Sequence, residues 1–260
     1  MDLSVGEHAV YHRSRLAFGA ATAAGLPGRF EAFELGGLRA LLTTSPGLGF
    51  LNSVTGVNAR TVAALREVVA VFADADAPLP AVVGTSGDLP SAERLSDLRA
   101  APGPVRPIAV LDPGTRDGCD VPSDRLQVRP AVGEDLATFF EVLSAGYAAP
   151  VDVDQFLLAE HSDPRLLRFI AWREDRPVAA AAMSLHGDVA VLGGAATLST
   201  HRSCGAQTAL LHSRLDTAAA AGARGAVATA APGSPSVRNL ARSGFTVHLR
   251  RSWLLAPAEV

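Results

Sequence analysis

The reading of this chain turns on Gly193-Gly194-Ala195-Ala196-Thr197-Leu198-Ser199-Thr200-His201-Arg202-Ser203-Cys204-Gly205-Ala206-Gln207-Thr208-Ala209-Leu210-Leu211. The residues up to Thr197 read as a buried strand, the next few as a short turn holding Arg202, and Gly205 onward as an amphipathic helix. The first turn of an α-helix carries backbone N–H groups without intrahelical partners, and the helix dipole adds positive charge there. The turn is therefore an anion site suited to a pyrophosphate. Gly205 lets a phosphate approach the backbone with no side chain in the way. A strand-to-helix turn can also need its glycine for packing alone, so this stretch gains weight only from its surroundings.

On its N-terminal side the pattern predicts a strand at 126–129, helices at 134–145 and 154–161, and a hairpin of strands 167–172 and 178–184 turning at Glu174-Asp175. A further turn at His186-Gly187-Asp188 leads into the strand at 189–197. On its C-terminal side a long helix over about 203–221 is followed by a strand at 226–229, a helix at 234–242 and one closing strand at 247–255. The order β-α-α-β-β-β-α-β-α-β predicts a mixed α/β (α+β) class, with helices flanking a mostly antiparallel sheet.

The first half can be read as the same order with its first strand missing, with one helix before the hairpin. A helix at 7–24 precedes a hairpin of strands 30–35 and 38–43 around Gly36-Gly37, then a strand at 49–54. Asn58 can cap a helix with Val62, Leu65, Val69 and Phe72 on one face. A strand at 81–83, a helix at 90–99 and a strand at 107–111 complete it. Residues 113–125 hold Asp, Pro, Gly, Ser and Arg with almost nothing apolar, as a linker does. Two domains are therefore expected, at 1–112 and 126–260, joined by 113–125.

Two further features frame the opening stretch: the sequence Thr197-Leu198-Ser199-Thr200-His201-Arg202, and Gly233 to Phe245, which ends in Ser243-Gly244-Phe245. Together with the element order they resemble the GNAT family of N-acyltransferases. That family's acyl-CoA signature is Gln/Arg-x-x-Gly-x-Gly/Ala at a strand-to-helix turn. Arg202-Ser203-Cys204-Gly205-Ala206-Gln207 matches its first two defined positions, and Gly244-Phe245 matches the family's usual helix ending. The resemblance covers about residues 126–255. It implies a tandem GNAT-like fold whose N-terminal copy, lacking Arg-x-x-Gly, holds no CoA and packs against the second half.

The resemblance also implies an activity: transfer of an acetyl or other acyl group from a CoA thioester to the amine of a small molecule. Acetyl-CoA is the default donor, and an acyl group on a carrier protein presents the same pantetheine arm. The donor site falls on Ala195, Thr197, Arg202, Ser203, Cys204, Gly205, Ala206, Gln207 and Thr208. Two departures stand out. Gln207 replaces the second small residue, and Leu240 stands where the family often has a Tyr as general acid. Ser236 or Asn239 could take a hydrogen-bonding role at the thiol instead. A non-catalytic acyl-CoA-binding or regulatory protein is the alternative these departures favour. Acceptor contacts are expected from Tyr147, Asp152 and Asp154, although either aspartate can also cap the helix that follows.

Bulk composition narrows the partners. Net charge is −3, which gives no basic surplus for nucleic acid. The apolar runs are too short for a membrane span. Cys119 and Cys204 are the two cysteines, too few for a secreted disulfide framework, so a cytoplasmic protein is expected. No metal site is expected, because Glu7 precedes His8 and His12 where a zinc-protease helix needs Glu after its first His. That pair reads as a surface helix face, and His161 and His186 read as turn or surface residues. A homodimer is expected by family habit.

Overall fold

The computed structural model describes residues 1–85, 89–90, 92–96, 98–112 and 126–256. The segment 113–125, with Cys119, lies outside the described residues.

Helix α1 (Leu3–Ala23) opens the chain, with the Asp2 carboxylate accepting from Ser4 N–H as its cap. Strands β1 (Phe30–Leu35) and β2 (Leu38–Thr43) pair antiparallel down to Leu35 opposite Leu38. The two glycines between them sit at φ 57° and 81°, as a two-residue hairpin turn of this hand requires. Residues 49–54, expected as a strand, instead begin within a 3₁₀ turn, Pro46–Leu51, and the strand β3 is Ser53–Val57. Pro46 suits the start of such a turn. The Asn52 side chain then makes the bonds a ladder would have made: it accepts from Thr43 N–H at 2.6 Å and donates to the carbonyls of Thr43 (3.0 Å) and Pro78 (2.7 Å). A 3₁₀ turn at Val62–Ala64 leads into α2 (Leu65–Asp74), followed by β4 (Ala81–Gly84), α3 (Ala92–Ser96), β5 (Ala100–Pro102) and β6 (Arg106–Leu111).

The second half runs β7 (Leu126–Pro130), α4 (Asp135–Tyr147), α5 (Val151–Ser162), β8 (Leu166–Arg173), β9 (Arg176–His186), β10 (Val189–Thr197), α6 (Ala206–Ala220), β11 (Gly225–Thr229), α7 (Pro235–Arg242), β12 (Thr246–Arg250) and β13 (Ser252–Leu255). Glu174 and Asp175, both at positive φ, close the β8–β9 hairpin. In β9, Ala179 to Ala182 are fully buried and alternate between two cores. Ala179, Ala181 and Met183 pack with Leu210 and Leu215 of α6, while Ala180 and Ala182 pack with Phe139 and Leu143 of α4. The two-residue period of a strand thus places one helix on each face of the sheet.

Two mixed sheets result, each flanked by helices: β1-β2-β3-β4-β13-β5 and β12-β6-β11-β10-β9-β8-β7. Their membership crosses the chain's midpoint in both directions. Strand β6, from the first half, lies between β11 and β12 of the second sheet. Strand β13, from the second half, lies between β4 and β5 of the first. The single closing strand expected at 247–255 is therefore two strands in two sheets, parting at Arg251. The buried Arg250 holds this crossing, with Nη1 3.3 Å from Glu7 Oε1 and Nε donating to the Arg106 carbonyl at 3.2 Å.

Helix α1 fills the seam between the halves. Gly6 lies against Val110 and Val227 of the second sheet, where an added Cβ would stand 3.2–3.3 Å from their methyls. Phe18 packs edge-on to Phe30 of β1 and Phe156 of α5, with ring centroids 5.7 and 6.0 Å away. Among the described residues no helix is long and apolar enough to cross a membrane.

Candidate acyl-donor and acceptor site

The site is built where β10 leaves β11. The two strands run parallel and pair from Val189–Gly225 to Leu192–Ala228, and the pairing stops there. Strand β10 continues alongside β9 to Thr197, after a register shift between Gly193 and Ala196 that carries Gly194 at φ 56°. Backbone groups of 193–197 on the side away from β9 thus border an open wedge. Below the wedge a turn at Ser199–His201 leads to α6.

Gly205, at φ 85°, is the N-cap of α6, and no side chain caps the helix. The N–H groups of Ala206, Gln207 and Thr208 have no intrahelical partner. Ser203 also has positive φ (62°), and the exposed Arg202 stands beside the turn. Cys204 is half-buried and packs against the core, and Ala206 is buried. Gln207 donates from Nε2 to Thr197 Oγ1 at 2.8 Å, tying the helix start to the strand end. The structure thus brings all nine expected donor residues to one wedge and one helix terminus.

The expected acceptor residues separate. Tyr147 ends α4 beside the wedge, with Gly146 before it standing against Ala196 and Thr197. Burial of the phenol, then the nearby Glu160 charge, raises its pKa, so it is neutral at physiological pH. Tyr147 lines a cleft of about 760 Å³ with Thr229 and Ala230 on one side and Leu41, Phe50 and Val83 of the first half on the other. That volume is ample for a small-molecule ligand. Tyr11, the chain's other tyrosine, faces the same cleft from α1, as do Glu7 and Ser14. Asp152 and Asp154 lie in the first turn of α5, whose N-cap is Pro150, and neither is a wall of the cleft. The Asp152 carboxylate faces Gly47, where a Cβ would come within 2.1 Å of Oδ2. Ser236 is exposed on α7, and Asn239 accepts from Arg242 at 2.5 Å. Leu240 is buried in the core, with no group to exchange a proton.

Behind the bulge of β10 lies a polar layer that the sequence did not announce. His161, expected at a turn or surface, is fully buried; helix α5 carries it inward beneath β10. Its Nδ1 lies 2.8 Å from the Leu157 carbonyl, while Nε2 has no hydrogen-bond partner among the described residues and faces Gly194. A Cβ on Gly194 would lie 1.8 Å from that nitrogen, so only glycine fits. Burial lowers the His161 pKa and keeps the ring neutral. Arg13 of α1 donates to Glu160 Oε1 at 2.8 Å and to Ser184 Oγ at 3.2 Å. Arg214 of α6, fully enclosed, donates to the carbonyls of Leu210 (3.0 Å), Ala182 (3.1 Å) and Gly193 (3.5 Å). Burial lowers its pKa to about 10, which leaves a positive charge beneath the wedge at neutral pH. The helical spacing of Glu7, Tyr11 and Ser14 was the one available signal for the cleft. Nothing local marks Arg13 or Arg214.

A mixed sheet splayed between two parallel strands, with a helix starting on an open glycine turn beneath it, defines the GNAT fold, here in a tandem GNAT-like arrangement. Residues 131–245 match the family model described as the Acetyltransferase (GNAT) family. Comparison with curated proteins finds no match. Among solved structures, a GCN5-related N-acetyltransferase from Kribbella flavida is similar at 19% identity and TM-score 0.62, covering 94% of this chain and 96% of that one. A functionally unknown conserved protein from Staphylococcus epidermidis gives 12% and 0.63, covering 90% and 95%. A tandem GNAT protein from the clavulanic acid biosynthesis pathway gives 13% and 0.58, covering 94% and 89%. At these identities the likeness is one of fold.

Proposed function

We propose that this protein is an N-acyltransferase that moves an acetyl or other acyl group from a CoA thioester to the amine of a small molecule. The observation that carries the reading is the parting of β10 from β11 after Leu192, directly above an uncapped helix terminus. The pyrophosphate would rest on the N–H groups of Ala206, Gln207 and Thr208, with Arg202 and Ser203 beside it. The pantetheine arm would lie along Ala195 and Thr197, and the acceptor would enter through the cleft at Tyr147.

In this reading the neutral amine attacks the thioester carbonyl carbon. The carbonyl oxygen becomes an oxyanion held by a β10 N–H, with the buried Arg214 charge beneath. Preorganised donors of this kind contribute about 3–4 kcal/mol each. Collapse breaks the C–S bond and releases the thiolate, and the nitrogen loses its proton to a base or to water in the cleft. A CoA thiol is acidic enough to leave without a dedicated acid, so the buried Leu240 is compatible with turnover. Ser236 and Asn239 remain the hydrogen-bonding candidates on α7. Tyr147 is the acceptor contact this reading keeps foremost. Asp152 and Asp154 would act on the acceptor only by charge, from the first turn of α5. Residues 1–112 and 126–260 are taken as the two units, joined by 113–125 and exchanging β6 for β13.

A non-catalytic acyl-CoA-binding role has one observation in its favour: the Gln207–Thr197 bond partly closes the turn. Calorimetry with acetyl-CoA, on the wild type and an Arg202→Ala, Gly205→Glu double variant, tests the donor site. Binding lost in the variant supports it. Thiol release with a panel of small amines then separates turnover from binding alone. Carrier-bound donors are the next to try if acetyl-CoA itself does not bind.

A further inference from the structure

At the other end of β10 from the wedge, about 13 Å along the strand from Gly193, a second cavity of about 830 Å³ opens between α1, β2 and the β9–β10 turn. His8 and His12 of α1, Arg39 of β2, His186 and Asp188 stand in its walls, with the apolar Leu185 among them. The two α1 histidines meet edge-to-face, with their Nε2 atoms 2.7 Å apart. Arg39 Nη1 lies 3.1 Å from His8 Nδ1, and Arg15 Nη1 lies 3.5 Å from His12 Nδ1.

These contacts form a chain: Arg39, His8, His12, Arg15. A guanidinium only donates, so each end of the chain is a donor. Each neutral imidazole adds one N–H. The chain holds three contacts but four donors, so one contact must set a donor against a donor. If both Nδ1 atoms accept from the arginines, both Nε2 atoms carry hydrogens and point at each other. Turning the two rings apart to admit one acceptor atom, at about 2.9 Å from each nitrogen, removes the conflict.

We infer that this cavity binds an oxyanion, a carboxylate or phosphate group, held by His8 Nε2–H, His12 Nε2–H and the Arg39 guanidinium. A cation is the wrong occupant. A metal would need both Nε2 lone pairs, which moves both protons onto Nδ1 and turns them toward the two arginines. The cavity volume and its apolar wall suit an organic anion. The charged groups around the pair are Arg15 and Arg39 on the positive side and Glu34 and Asp188 on the negative. The lowered pKa of His12, caused by burial and then by His8, accords with a chain already overfilled with protons. The site joins α1, the first sheet and the second sheet, and it is independent of the acyl-donor reading.

Imidazole-nitrogen NMR of the wild-type protein, titrated with inorganic phosphate and separately with hexanoate, tests the inference. Saturable shifts at His8 and His12 with either anion are expected. Arg39→Gln should weaken binding about tenfold, the loss of one charge-assisted hydrogen bond. His8→Phe should abolish it, with thermal unfolding as the check that the variant is folded. Saturation by phosphate alone assigns an inorganic or phosphoryl ligand; saturation by hexanoate assigns a carboxylate on an apolar body. No shift with either anion at millimolar concentration, or tighter binding of Zn²⁺ to the same nitrogens, overturns it.

Discussion

The two halves contain the same strand-to-helix turn, and only one of them is open. In the second half β10 leaves β11 after Leu192, and α6 begins on Gly205 with no side-chain cap among the described residues. In the first half β3 and β4 are also parallel and also shift register, around Gly56 at φ 86°. There the strands rejoin at Val57 opposite Gly84, and Thr85 N–H donates to the Val57 carbonyl at 3.0 Å. Asn58 then fills the turn, its Oδ1 accepting from Arg60 N–H at 2.8 Å and Thr61 N–H at 3.1 Å. One turn satisfies its own donors with a side chain, and the other has no side-chain cap. The difference rests on a rejoined strand pair and on Asn against Gly.

The largest test concerns whether the halves are separable at all. Each sheet borrows a strand from the other half, so fragments 1–112 and 126–260 made separately should fail to fold. Circular dichroism of each alone, and of the two mixed, reads this out; recovery on mixing is expected. A stably folded single fragment would show that the exchanged strand is dispensable.

Giving the open turn the closed turn's solution is next. Gly205→Asn keeps a residue that tolerates φ 85° and supplies a capping oxygen. Acetyl-CoA affinity should fall about tenfold to a hundredfold, while the melting temperature holds or rises slightly. Unchanged affinity in calorimetry would break the comparison.

The bulge glycines sharpen it further. Gly194→Ala drives a Cβ into His161 at positive φ and should cost about 2–4 kcal/mol in urea unfolding. Gly56→Ala meets the Gly37 carbonyl at 3.1 Å and should cost about 1–2 kcal/mol. Equal costs would mean that the His161 contact adds nothing.

The smallest effect is acid sensitivity, centred on α1 and the second half. All seven histidines lie on α1 or in the second half. Burial is the main cause that depresses His186, to about 4 from 6.5, and the same cause lowers His161 and His12. A histidine with a lowered folded pKa is protonated more readily when unfolded. Its stability contribution is complete above pH 6.5 and is lost as pH falls toward 4. Thermal unfolding should drop by a few degrees over that range. Hydrogen exchange should rise in β9 and α5 before it rises in β1 and β2, and His186→Gln should flatten part of the change.

What the sequence determined by itself is what nearest neighbours along the chain control. The Gly36-Gly37 hairpin, the β10–α6 turn and the two-sheet mixed class were all legible, because glycine at positive φ and a two-residue or helical period act within a few residues. The residues of the β10–α6 turn were legible for the same reason, lying close together along the chain. Asn58, expected to cap the helix, closes the turn before it instead, and the helical segments there start on Thr61 and Ala64. The 3₁₀ turn at Pro46–Leu51 was not legible, because the Asn52 bonds that follow it reach beyond the window of a local pattern, to Thr43 nine residues back and Pro78 26 residues on. Only the tertiary structure decided that β6 and β13 change sheets, that His161 is enclosed against Gly194, and that Arg214 carries a charge beneath the wedge. Each of these depends on which strand edge is unpaired and which side chain finds a carbonyl after packing. Those contacts join residues up to 243 positions apart, as Glu7 and Arg250 are, and no local pattern encodes them.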